Sequence, residues 1–346
     1  MHEHIIFSQE YLSACSFESL YKAFCAARRA RGFKRCVLLY EKNLEYNLGR
    51  LSYALCSGEY RHGGYHTFIV HDSKKRTIRA AAFTDRIVHH MVCAHIESLF
   101  EKRFIFDSYV CRIDKGTHRA IRRAKKFLYG SSNGYIRPAY YAKLDISKYF
   151  QNIDHKILFS LVCRVVRDEG MRIIIKNIID SHHDAIQNGR AKGIPIGNLT
   201  SQLFGNIYLN ELDHYVKERL YCRYYVRYMD DILICCVDKE VCACVCAHIE
   251  SFVRETLLLS VHPSKKIIAP VSSGVSFLGY VLYSHTTRLR TSTIQRAHKR
   301  IIQNYALWRS GDMSLLHIRD QRASWYGYAK HAQARHISNK LWEVFR

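Results

Sequence analysis

Apolar positions change their period several times along the chain, and the changes mark out elements. From Tyr11 to Ala30 they recur at helical spacing and end in the basic stop Arg28-Arg29-Ala30-Arg31-Gly32. Tyr65-His66-Thr67-Phe68-Ile69-Val70 alternates and is rich in β-formers, predicting a strand. Lys74-Lys75-Arg76 reads as a basic turn before a long helix starting near Asp85. Tyr140 to Leu144 predicts a strand closed by Asp145, with Ser147 as the cap of the next helix. Lys156 to Arg167 reads as a helix and Gly193 to Gly197 as a loop. Leu203, Ile207, Leu209 and Leu212 give Ser201 to Leu220 the stripe of a buried helix. Val226 to Tyr228 and Ile232 to Cys235 predict two short strands around Met229-Asp230-Asp231. Phe277 to Tyr283 predicts another, and from Thr291 the chain is helical and basic. The expected class is α+β, a mostly antiparallel central sheet between helical ends.

Charge then selects among the functions such a fold can carry. Of 346 residues, 53 are Lys or Arg and 30 are Asp or Glu, a net charge of +23. A folded chain this basic needs a polyanionic partner, or at least an anionic surface, to relieve its self-repulsion. Ser108 to Tyr129 concentrates the excess in Arg112, Lys115, Arg119, Arg122, Arg123, Lys125 and Lys126, predicting a phosphate-contacting helix face. No apolar run is long enough to span a bilayer, and the first residues lack a signal-peptide pattern. Thirteen cysteines, an odd number spread along the chain, suit reduced thiols and a cytoplasmic setting. A secreted disulfide scaffold, a disordered tail and an ordinary small-metabolite enzyme are disfavoured.

Two acidic positions carry the candidate chemistry. Asp145 closes a strand, and Asp230-Asp231 sit at the tip of an apolar hairpin. Adjacent carboxylates in such a place repel each other unless a cation neutralises them. Hard oxygen ligands of this kind suit Mg²⁺, and a pair of ions would clamp both oxygens of an in-line phosphoryl displacement. Cys242, Cys244 and Cys246 lack the spacing of a metal site, and Gly63-Gly64 reads as a turn.

The text around these aspartates resembles reverse transcriptases. Tyr225-Val226-Arg227-Tyr228-Met229-Asp230-Asp231-Ile232 is similar to the catalytic hairpin of that family. Ala142-Lys143-Leu144-Asp145-Ile146-Ser147-Lys148-Tyr149-Phe150 is similar to its first catalytic motif. Arg76 through Arg86, Ser108 through Thr117, Gly193 through Asn210, Leu259 through Lys266 and Phe277-Leu278-Gly279-Tyr280 follow in the family's order, so the resemblance covers about residues 65–285.

The resemblance implies a right-hand polymerase, with fingers in 1–138, a palm of antiparallel strands in 139–284 and a helical thumb in 285–346. Part of the fingers would lie between about 160 and 195. It implies Asp145, Asp230, Asp231 and the Ile146 carbonyl as ligands of two Mg²⁺ ions, and Phe150 as a gate against ribonucleotides. Arg76 would grip the incoming dNTP, with Arg79, Lys74 and Lys75 as weaker candidates. Tyr228 would lie beside the primer end and Arg112 along the template. Ile194-Pro195-Ile196-Gly197-Asn198-Leu199-Thr200-Ser201-Gln202 departs from group II intron relatives at Ile196 and Gln202. The departure looks like the diversity-generating retroelement group, whose enzymes copy a template-repeat RNA with errors at adenines. That implies nucleotide contacts from Ile196 and Gln202, primer–template contacts from Gly197 and Asn198, and a small, basic, oligomeric accessory protein. RNA template, DNA primer and dNTPs are the other implied partners. Reverse transcriptases of defence-associated or retron lineages, and a non-catalytic RNA-binding scaffold, are the alternatives. No maturase extension or HNH nuclease is expected.

Overall fold

The computed structural model describes residues 7–71 and 75–343, so Lys74 lies outside the described residues. Four helices open the chain: α1 (Gln9–Ala14), α2 (Phe17–Arg28), α3 (Arg35–Lys42) and α4 (Leu44–Cys56). The helix expected over Tyr11 to Ala30 is two, because the Ser16 hydroxyl accepts from the Ser19 N–H and starts α2 afresh. A hairpin of β1 (Tyr65–His71) and β2 (Lys75–Ala81) follows, placing Lys75 and Arg76 in a strand instead of the expected turn. Next come the long α5 (Phe83–Glu101) and the basic α6 (Thr117–Ser131).

The middle of the chain holds β3 (Tyr140–Asp145), α7 (Tyr149–Asn152), α8 (His155–Cys163) and α9 (Glu169–Asp180). A small hairpin of β4 (Ala185–Gln187) and β5 (Arg190–Lys192) leads to α10 (Leu199–His214), which continues as a π-helical turn over Tyr215–Arg219. Then come β6 (Tyr225–Tyr228), β7 (Asp231–Cys236), α11 (Lys239–Glu255) and β8 (Ile267–Pro270). The expected strand over Phe277 to Tyr283 is a hairpin of β9 (Val275–Phe277) and β10 (Tyr280–Leu282), with Leu278 and Gly279 both at positive φ in its turn. β10 also pairs with β11 (Thr287–Leu289). Helices α12 (Thr291–Arg309), α13 (Leu315–Ala329) and α14 (Arg335–Leu341) close the chain. Ser147 caps nothing: the residue before α7 is Lys148, in a left-handed conformation.

The central sheet has the order β6-β7-β3-β8, antiparallel throughout. Strands β3, β6 and β7 are buried on both faces, so side chains of period two feed two cores, while the edge strand β8 is partly exposed. Ala142, Leu144, Ile232 and Ile234 join the larger core with α2, α5, α8, α9, α10 and α11. Tyr141, Val226, Leu233 and Cys235 face the other way, against α6 and the β9–β11 sheet. Ile301, Ile318, Leu341 and Trp342 form a small separate core among α12–α14. No described helix is long and apolar enough to cross a membrane.

Candidate active site

The register of the sheet assembles the aspartates. Asp145, the last residue of β3, lies directly opposite Asp231, the first of β7, and Tyr228 of β6 lies opposite Asp231 on its other side. Only Met229 and Asp230 connect β6 to β7. Met229 holds φ at +54°, a left-handed value that costs a side-chain-bearing residue about 1 kcal/mol and re-aims the chain at the tip. The Ile146 N–H donates to the Asp230 carbonyl at 3.3 Å, stitching the tip to the end of β3. Burial, the adjacent Asp231 and, more weakly, Asp145 push the Asp230 carboxyl up to about 6.

Cationic side chains answer the other two carboxylates. Lys265, just before β8, ion-pairs with Asp145, and Lys143 pairs with Asp231 at 3.3 Å. Among the described residues, no three His, Cys, Asp or Glu side chains are gathered as a ready metal cluster. The donor chemistry still fits a hard divalent cation. Carboxylates from three positions meet at one sheet end, where burial and the neighbouring carboxylates penalise the ionised form of Asp230 and a cation would relieve them.

A buried ion pair supports the hairpin from behind. The Arg227 guanidinium, wholly inaccessible to solvent, donates twice to Asp213 of α10, at 2.7 and 2.5 Å. Its remaining nitrogen donates to the Met229 carbonyl at 3.2 Å and to Asn206 Oδ1 at 3.4 Å. The Tyr225 hydroxyl donates to the same Asp213 at 2.6 Å. Sequence reasoning missed this clamp; its one available signal was an aspartate on the apolar stripe of α10.

Phe150 stands near the tip. A Cβ placed on Gly205 of α10 would lie 3.1 Å from Met229 Sδ, 3.3 Å from the Phe150 ring and 3.4 Å from Tyr149. Glycine therefore lets the helix, the hairpin and the candidate gate approach one another. The Tyr228 hydroxyl accepts from Thr117 at the start of α6, at 3.0 Å.

The other predicted residues fall into two groups. Arg79, Ile196, Gly197 and Asn198 form one joint. The Arg79 N–H donates to the Ile196 carbonyl, and the buried Asn198 amide bridges the Ala81 N–H and the Arg79 carbonyl at 3.0 Å each. Gly197 sits at φ +118°, where a Cβ would strike Ile78 at 2.7 Å. The Arg79 side chain is turned to Asp184 at 3.0 Å. Arg76 and Gln202 are exposed. Arg112, expected along a template, instead grips Glu101 with two nitrogens and donates to the Ile105 and Ser108 carbonyls, its side chain 4% exposed. The helix-face reading of the Ser108–Tyr129 charges missed this inward role, because α6 begins only at Thr117 and Arg112 lies in the loop before it, where it turns back to Glu101 at the end of α5.

A palm-like antiparallel sheet with aspartates at one end, flanked by helices, defines the class of right-hand polymerases. The chain belongs to the family of the reverse transcriptase (RNA-dependent DNA polymerase), whose sequence pattern matches residues 70–282. It is 33% identical over 150 residues to protein YkfC of Escherichia coli K12, covering 43% of this chain and 39% of that protein. It is 24% identical to the group II intron-encoded protein LtrA of Lactococcus lactis subsp. cremoris, covering 65% of this chain and 47% of LtrA. The chain thus spans less than half the length of both relatives. Its fold is similar to that of apo telomerase from Candida tropicalis, truncated from its C-terminal domain: TM-score 0.50, 12% identity, 67% of this chain and 55% of the other.

Proposed function

We propose that the chain is an RNA-directed DNA polymerase of a diversity-generating retroelement, copying a template-repeat RNA with errors at adenines for mutagenic retrohoming. The observation that carries the polymerase reading is the register pairing of Asp145 with Asp231 beside the buried Asp230. Fingers, palm and thumb correspond to about residues 1–138, 139–284 and 285–346. In this reading Asp145, Asp230, Asp231 and the Ile146 carbonyl hold two Mg²⁺ ions. Bound there, Mg²⁺ supplies charge neutralisation and activates the attacking hydroxyl. The primer 3′-hydroxyl attacks the α-phosphorus of a dNTP and pyrophosphate leaves. Phe150 excludes the 2′-hydroxyl of a ribonucleotide, Arg76 holds the triphosphate, and Tyr228 lies beside the primer end.

The retroelement reading rests on Ile196 and Gln202, in the loop and helix that Asn198 ties to β2. A loop braced against the fingers hairpin sets how snugly a nascent base pair is held. A small basic accessory protein and a cytoplasmic setting belong to the same reading.

One experiment tests it: primer extension on a heteropolymeric RNA with the products sequenced. The parent should extend the primer with substitutions concentrated at template adenines, Gln202→Pro should lower that bias, and Asp230→Asn should cut extension at least about a hundredfold. Extension surviving Asp230→Asn removes the aspartate site. Errors spread evenly over all four bases remove the retroelement assignment alone.

A further inference from the structure

Helices α3 and α4 pack on each other, and α4 lies against α2, which covers α5. Their outer face carries large rings where a monomeric surface usually carries small polar residues. Phe33, Tyr46 and Tyr53 are 78%, 65% and 68% exposed. On α4, Tyr46, Gly49, Arg50 and Tyr53 occupy positions i, i+3, i+4 and i+7, one stripe of the helix. The two tyrosines stand about 10 Å apart along the axis. Between them Arg50 lies over the Tyr46 ring at 5.7 Å, and the space above Gly49 is open, with nothing within 4 Å of a Cβ placed there.

The surroundings are strongly basic. From Arg28 to Tyr53 the chain carries seven Lys or Arg and two Glu, and one of those glutamates, Glu41, is paired with Arg28 at 3.1 Å. Exposed rings set among cations, with an open gap between them, match the chemistry of unpaired nucleobases on a phosphate backbone: π-faces for the bases and ammonium or guanidinium groups for the phosphates. A duplex hides its base faces and gains nothing from the rings. A basic protein partner would be repelled.

We infer that the α3–α4 face, centred on Tyr46, Gly49, Arg50 and Tyr53, is a stacking platform for single-stranded RNA, separate from the three-aspartate end of the sheet. The choice of RNA over DNA rests on the polymerase reading above; the platform itself does not. Its role is to hold an unpaired stretch of the RNA against the outside of the N-terminal helices while the sheet end stays free.

The test uses the full chain with its cleft filled by a chain-terminated RNA template–DNA primer duplex, titrated with short fluorescent oligo(A) or oligo(U) RNA. Stacking predicts tighter binding of oligo(A), whose bases stack better, at equal charge. Tyr46→Ala and Tyr53→Ala should each weaken oligo(A) binding about five-fold or more, while Tyr46→Phe keeps it. Gly49→Leu is favoured in a helix, and its Cβ enters open space, so it should fold normally yet weaken binding by filling the gap. Asp230→Asn should bind oligo(A) as the parent does, so failure of the polymerase reading and failure of the platform are told apart. Equal binding of oligo(A) and oligo(U), with ring variants that bind like the parent, overturns the platform. So do ring variants that leave RNA binding intact and change the sedimentation of the protein, which would make the face an interface between copies of the chain.

Discussion

At the residue scale, the hairpin tip is held by Arg227, a residue with no access to water and so no place in the chemistry itself. Burying a guanidinium is tolerable here because Asp213 takes two of its hydrogen bonds. Removing one partner leaves the other charge buried and bare. Asp213→Ala should therefore lose about 3–5 kcal/mol in urea unfolding. Arg227→Met paired with Asp213→Leu should regain most of that stability, yet extend primers poorly, because the Met229 carbonyl has lost its donor. A double variant both stable and fully active would show that the clamp serves stability alone. Asp230 and Asp231 stood out as a candidate site only through the motif around them, since two adjacent carboxylates at a turn alone could as well face water. Arg112 was not legible as half of an internal pair. Its guanidinium chooses Glu101 over solvent, and nothing local distinguishes it from Arg119 or Arg122.

At the element scale, α5 and α10 meet through a chain of polar groups. His89 of α5 lies 3.2 Å from the Thr200 hydroxyl and 3.1 Å from His62, whose other nitrogen faces the Gly63 carbonyl at 2.6 Å. One assignment of protons satisfies all three contacts. Thr200 donates to His89 Nδ1, His89 Nε2 donates to His62 Nε2, and His62 Nδ1 donates to Gly63. That chain holds His89 neutral, and burial pushes its pKa down to about 3. The sign follows directly: between pH 3 and 6.5 the unfolded chain binds a proton that the folded one refuses, so stability falls as the pH falls. The native state should lose about 2 kcal/mol from this group between pH 7.5 and 5, and His89→Gln should remove that part of the dependence. Identical pH slopes for both proteins in chemical denaturation would contradict it. Alternating or helical periods revealed most elements. The split between α1 and α2 and the β9–β10 hairpin escaped because Ser16 and Leu278-Gly279 interrupt otherwise continuous apolar patterns.

At the scale of the whole molecule, a net charge of +23 sets how nucleic acid binds before any particular contact does. With six or more phosphates engaged, log affinity for single-stranded RNA should fall against log salt with a slope of about −4 or steeper. Fluorescence anisotropy between 50 and 200 mM KCl, which are about the usual limits for such a plot, measures it. A slope shallower than about −2 would mean that most of the basic residues serve internal pairs, as Arg112, Arg123 and Arg227 do.

The amino-acid order alone determined the class of fold and the basic character, because strand alternation, helix period and charge act over a few neighbouring residues, and its motifs named the aspartates as candidates. Tertiary structure decided which side chains meet. Asp145 faces Asp231 only because β3 and β7 pair in one register, Lys265 reaches Asp145 only because β8 joins the same sheet, and Arg227 is a clamp only because α10 carries Asp213 beneath it. The physical reason is that a long polar side chain has several partners of nearly equal worth in an unfolded chain. Burial, which removes water as the alternative partner, selects one of them.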